Sequence, residues 1–201
     1  MQPDPTGLTV AELLNELASR TSVPAGGVVA ALQAAQAAAL LAMAARFSVR
    51  GKDAAIDRLA TQVAEAGDLL RARAVGLATD DVAAFEAVKD AWSKPRGEER
   101  DGSVRRALAG AAEPPASVVS VAREVVAQAE RLLPVVHRSV AADLAAAVDA
   151  AHAAASTSRR NVEANLADDP DHVLLDHLGD VDDLLRRAID IGQALRRGSR
   201  P

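Results

Sequence analysis

Asp143 stands in the run SVAADLAAAVDAA, an acid among alanines with few polar neighbours. In a half-apolar cleft, desolvation would raise its pKa and let it give or take a proton near neutrality. On a solvated first turn it would only complement the helix dipole. Lys52, with Arg46 and Arg50, closes a long apolar segment. Cations there complement a helix C-terminus, or hold a carboxylate and tune a nearby acid. Pro24-Ala25-Gly26-Gly27 opens the same segment. Glycines at a helix start leave N–H groups open toward an anion, and serve equally well in a tight interhelical turn. Asp81 and Phe85, four apart, share one helix face. Lys94 and Arg96 flank Pro95 in the charged stretch SKPRGEERDG and can hold a carboxylate as well.

Other chemistries find no footing. The four histidines, His137, His152, His172 and His177, fall at no recognised metal spacing, so no metal is expected. With no cysteine in the chain there is no thiolate nucleophile and no disulfide, which fits a reducing cytoplasm. No phosphate-binding loop, dinucleotide fingerprint or serine nucleophile elbow is present.

The elements that must position these residues are helices. The 201 residues suit a single domain, 1–201, with a core over about 8–195. Hydrophobic residues make up 49% of the chain, but alanine supplies much of that, and Phe47, Phe85 and Trp92 are the aromatics. Alanine has the best helix propensity, so the fold class expected is all-α. Thr9 with Glu12 forms a capping-box pattern before a helix over about 9–20. A second helix follows Pro24 and reaches Ser48, and a third covers about 53–76. Thr79 and Asp80 are placed to cap a shorter helix through Trp92. Residues 94–103 read as a mobile loop, and Pro114-Pro115 as a kink or a new start. Pro134 interrupts or ends the next helix; a long one then carries residues 139–166, Asp143 among them. Asp169-Pro170 separates that from a final helix ending near Leu195, with a frayed tail over 196–201. Together these make an antiparallel bundle of about five long helices plus short ones.

Val28 to Ala45 is long and uncharged enough to raise the question of a membrane span. Its alanines, with Gln33 and Gln36 among them, suit the close-packed central helix of a bundle better. A net charge of −5 with mixed signs argues against a nucleic-acid-binding face, and no membrane partner is expected. The opening MQPDPTGLTV has no basic stretch before an apolar run, so no secretory signal is expected.

Taken in order, LTVAELLNELAS, PAGGVVAAL, DVAAFEAV followed by SKPR, and the helix from Asp143 to NVEANL resemble the cyclodeaminase/cyclohydrolase family of folate enzymes. The resemblance covers nearly the whole chain to about residue 166. It implies a helical homodimer in the cytoplasm acting on a tetrahydrofolate one-carbon adduct, with no permanently bound cofactor. Asp143 stands where the family has its acid, which implies general acid/base catalysis supported electrostatically by Lys52. Pro24, Gly26, Gly27, Arg50, Asp81, Phe85, Lys94 and Arg96 are the implied substrate-binding residues. Ala25 and Val28 replace a Gly and the Ser of the family's Pro-Gly-Gly-Gly-Ser signature, Gly51 stands where the first Lys of Val-Gly-Lys-Lys belongs, and Ala142 lies in a segment lacking the Asn and Ser that usually precede the acid. These departures define the alternative, a helical homodimer that binds a folate-like ligand or serves in assembly without turnover.

Overall fold

Alanine decides the architecture. In the computed structural model, which describes residues 5–198, the apolar run forms one helix, α2 (Gly26–Ser48). Ala30, Ala31, Ala34, Ala37, Ala38 and Ala44 on it are all fully buried. Small side chains on nearly every side let α3 (Ala54–Ser93), α4 (Glu98–Leu132) and α5 (Ala141–Asn165) pack against it together. At the tightest crossing a Cβ on Gly67 of α3 would lie 2.9 Å from the Ala42 Cβ and 3.0 Å from the Ala38 carbonyl oxygen, so the helices meet at a bare backbone. The segment has the length and hydropathy of a membrane span, but its neighbours enclose it as the central helix of the bundle.

The shorter elements surround this core. Thr9 caps α1 (Val10–Ala18): the Glu12 N–H donates to Thr9 Oγ1 at 3.3 Å, and the Thr9 N–H donates to Glu12 Oε2 at 2.8 Å, completing the capping box. Nothing on α1 is fully buried; it borders an open groove with α2, and Val10 and Leu14 are exposed. After α6 (Val173–Asp176), α7 (Val181–Gly198) covers α5 and part of α4. Among the described residues the long helices are α2, α3, α4, α5 and α7, which matches the expected number of about five.

Their boundaries differ from expectation in four places. Residues 53–76 and 79–92 belong to one helix: Gly76 and the cap-forming types Thr79 and Asp80 lie inside it, where a single glycine among good helix formers weakens a helix by about 1 kcal/mol without ending it. The loop expected over 94–103 is confined to residues 94–97, since α4 starts at Glu98 after Gly97 in a positive-φ conformation. That helix then continues through Pro114 and Pro115, both buried, so no new helix starts there. The tail expected to fray from 196 is still helical to Gly198, and residues 199–201 lie outside the described residues.

Between α2 and α3 the chain turns at Gly51, whose φ of 67° is a left-handed conformation that glycine adopts without a Cβ penalty. The Asp57 carboxylate holds this turn, accepting the Arg50 and Gly51 N–H groups at 2.8 Å each. The backbone therefore accounts for glycine at the position where the family places a lysine.

Candidate active site

The start of α2 lacks a cap of its own. Ala25, the N-cap residue, has no side chain that can accept a hydrogen bond from the first turn. Asp81, from the middle of α3, supplies the acceptor instead and takes the Val28 backbone N–H. It comes in over Gly27 so closely that a Cβ there would overlap its carboxyl group. Glycine at position 27 thus admits an acid from another helix. The expectation that these glycines leave the helix start open to an external anion is corrected at Gly27, where Asp81 already occupies that place.

Burial changes the chemistry of this acid. Desolvation pushes the Asp81 carboxyl from its ordinary value of 3.8 up to about 6, against the opposing pull of the Val28 N–H. A carboxyl poised there can be either proton donor or acceptor close to neutrality. It borders a cleft of about 240 Å³ together with Gly26, Phe85, Leu108, Asn161 and Asn165. Asp81 and Phe85 share one face of α3, as their spacing predicted, and Phe85 offers an aromatic surface beside the acid. The two asparagines come from the last turns of α5. They were not among the expected site residues, although their spacing of four in NVEANL marks a single helix face.

The remaining expected residues go elsewhere. Asp143 is a half-buried acid in the first turn of α5, and Asn161 lies about 27 Å further along the same helix at 1.5 Å per residue. Lys52 and Arg50 are exposed beyond the C-terminus of α2, more than about 30 Å along that helix from Gly26. Within one chain Asp143 and Lys52 therefore do not converge on the glycine pair: α2 and α5 run antiparallel, which puts the start of α5 and the end of α2 together at the end of the bundle opposite Gly26 and Gly27. Lys94 follows α3 about 20 Å beyond Asp81 and donates from Nζ to Ser103 Oγ at 2.9 Å, while Arg96 is exposed on the 94–97 loop. Neither borders the cleft. Pro24 lies just behind it, lining a smaller pocket of about 160 Å³ with Val23 and Val82.

The cleft thus unites three of the sequence segments singled out above: the glycine pair, the Asp-x-x-x-Phe face and the asparagine turn. A family model described as Formiminotransferase-cyclodeaminase matches residues 9–180, a span that includes all three. The chain belongs to the formiminotransferase-cyclodeaminase family. Among relatives of this family member, a protein named methenyltetrahydrofolate cyclohydrolase from Methylorubrum extorquens is 31% identical over 163 residues, 78% of each chain. The crystal structure of a formiminotetrahydrofolate cyclodeaminase from Thermotoga maritima matches with a TM-score of 0.82 and 26% identity, over 95% of both chains.

Placed in the formiminotransferase-cyclodeaminase family, the departures at the helix start acquire a position. The Val28 side chain is fully buried in the core, and the N–H of the same residue is what Asp81 accepts. The exchange of Ser for Val therefore alters core packing, while the contact that matters to the cleft runs through the backbone.

Proposed function

We propose that the chain is a folate-dependent one-carbon enzyme of the cyclodeaminase or cyclohydrolase type, with Asp81 as its proton-transfer group. The observation that carries this reading is the Asp81 carboxyl, held on the bare backbone of Gly27 in the cleft with its pKa near 6. The names of the two similar proteins support the substrate class, a tetrahydrofolate one-carbon adduct.

The two reactions make similar demands on the site. In hydrolysis of the cationic methenyl bridge, water adds to the one-carbon centre, both of its protons leave as the carbonyl forms, and the carbon–nitrogen bond breaks as that nitrogen takes up one of them while the other goes to solvent. In cyclodeamination the substrate's own nitrogen attacks a formimino carbon, and ammonia leaves after protonation. Either way a tetrahedral carbon forms and collapses while protons move between atoms a few ångströms apart. One carboxyl with a pKa near working pH can accept the first proton and return the second. Phe85 would stack against a ring of the folate, and the Asn161 and Asn165 amides would fix its polar edge. We assign no permanently bound cofactor, and the cysteine-free sequence fits the cytoplasm.

We further propose that the enzyme is a homodimer joined through the face of α1 and α2. An apolar groove of about 540 Å³ runs there between Leu13, Leu17 and Leu32, bordered by the exposed Val10 and Leu14. Gln33 Oε1 is buried beside it without a hydrogen-bond partner. A second chain would cover the apolar surface and could donate to that oxygen.

The test of the function is the absorbance of 5,10-methenyltetrahydrofolate during hydrolysis, run beside an ammonia-release assay on 5-formiminotetrahydrofolate. Turnover of one of them is expected. Folded protein that turns over neither would overturn the assignment.

A further inference from the structure

Pro115 removes a backbone N–H from the middle of α4. In a regular helix that N–H would donate to the carbonyl of residue 111, so the Ala111 oxygen is left without its helical partner. The structure fills the gap from another helix: Asn165 Nδ2, at the end of α5, donates to the Ala111 carbonyl at 2.9 Å. Both residues border the cleft beside Asp81. Gly110, whose carbonyl Pro114 frees in the same way, borders an open groove on another side of α4, next to Glu113 and Ser117. The proline pair thus breaks two helical bonds, and the one facing the cleft is replaced by a side chain.

This replacement fixes the orientation of the amide. A carbonyl accepts and cannot donate, so the end of Asn165 that meets Ala111 must be its NH₂ group. Its oxygen then takes the other position. Among the described residues that oxygen has no hydrogen-bond donor, and Asn165 lines the cleft. Asn161, one turn earlier on the same face, has no such anchor.

We propose that Asn165 is a substrate-reading residue whose side-chain oxygen is a fixed hydrogen-bond acceptor for an N–H group of the folate, oriented by the Ala111 carbonyl that Pro115 leaves free. The assignment of a folate ligand rests on the function proposed above; the coupling between Pro115 and Asn165 does not. Substrate would meet an acceptor already aligned, and ligands presenting an oxygen or a methyl group at that point would be disfavoured.

Pro115→Ala separates this role from a merely structural one. The substitution restores the N–H that bonds Ala111, so the helix gains a bond and Asn165 must compete with a backbone donor for that carbonyl. The expected result is a higher Tm together with a KM for 5,10-methenyltetrahydrofolate, or for the formimino substrate if that is the one turned over, raised about 5- to 10-fold at nearly unchanged kcat. Asn165→Ala should raise KM by a similar factor and lower Tm, and the double variant should show the KM of Asn165→Ala alone. In the Pro115→Ala background, Asn165→Asp should bring KM back toward the wild-type value, since its ionised carboxylate still accepts a hydrogen bond and no longer faces an unpaired carbonyl. An unchanged KM in Pro115→Ala, additive effects in the double variant, or failure of Asn165→Asp to rescue where Asn165→Ala also fails would overturn the proposal. The Tm values are read without substrate. Asn165→Ala should lower Tm less in the Pro115→Ala background than in wild type, and this arm stands even if neither folate is turned over, in which case the function fails and the coupling is still decided.

Discussion

The Asp81 carboxyl lies where the Cβ of any residue other than glycine at position 27 would have to be. The two residues are 54 positions apart in sequence, yet each accounts for the other: the acid needs a bare backbone to reach the start of α2, and the helix start needs an acceptor that Ala25 cannot supply. Gly27→Ala should therefore expel the carboxyl and lower kcat/KM on the order of 10²-fold or more, within the range that general acid–base catalysis contributes. Gly26→Ala is the comparison, because a Cβ there would find Asn161 Oδ1 no nearer than 4.0 Å. Steady-state kinetics should show the smaller loss for Gly26→Ala, and equal losses would contradict the placement of the acid.

Titration of Asp81 should appear in stability as well as in rate. Its folded pKa of about 6 exceeds the ordinary 3.8, so the native state binds more protons than the unfolded state between those values. The contribution to stability is present below about pH 4 and is lost as pH rises through about 6. After allowance for partial exposure it amounts to about 2–3 kcal/mol. Urea unfolding at pH 4 and pH 7 should show Asp81→Asn lacking that part of the pH dependence. In hydrolysis, where the ionised form takes the proton from water, the wild-type rate should rise through pH 6. The Asn variant should lose that limb and fall by about 10²- to 10⁴-fold.

The far end of the bundle offers the converse experiment. Asp143 and Lys52 lie more than about 25 Å along their helices from the cleft residues. Asp143→Asn and Lys52→Ala should each leave kcat/KM within about threefold of wild type, as expected of surface charges outside the site. A loss matching that of Asp81→Asn would move the proton transfer to the far end, and with it the identification of the cleft.

Leu14 is 59% exposed on α1 at the rim of the apolar groove, and Val10, one turn before it, is 74% exposed. A charge at Leu14 would have to be desolvated in any interface built on this face. Sedimentation velocity should show a dimer for wild type and a concentration-dependent shift to monomer for Leu14→Glu, with helical content unchanged. A wild-type monomer, or a Leu14→Glu dimer as tight as wild type, would remove α1 from the interface.

What could be read from the chain alone follows from local physics. Alanine propensity and the spacing of apolar residues give the all-α class and the helical segments, though not their fusion into α3 and α4; the Thr9–Glu12 pattern gives the first cap, and four-residue spacing puts Asp81 with Phe85 on one face. The small side chains of Gly26 to Ser48 are enough to make that helix central. Burial and hydrogen-bond demand are set instead by neighbours distant in sequence. Asp143 among its alanines and Asp81 in DDVAAF both read as acids on helices. Only packing decides that Asp81 is pressed under the start of α2 and desolvated, while Asp143 stays on a first turn at the opposite end. Pro114-Pro115 reads locally as a break, but buried in a continuous helix it is tolerated, with Asn165, fifty residues away, replacing the bond that Pro115 removes. Helix formation depends on the residues within a turn or two of each position, and the chemistry of a carboxyl or an amide depends on what the fold brings against it.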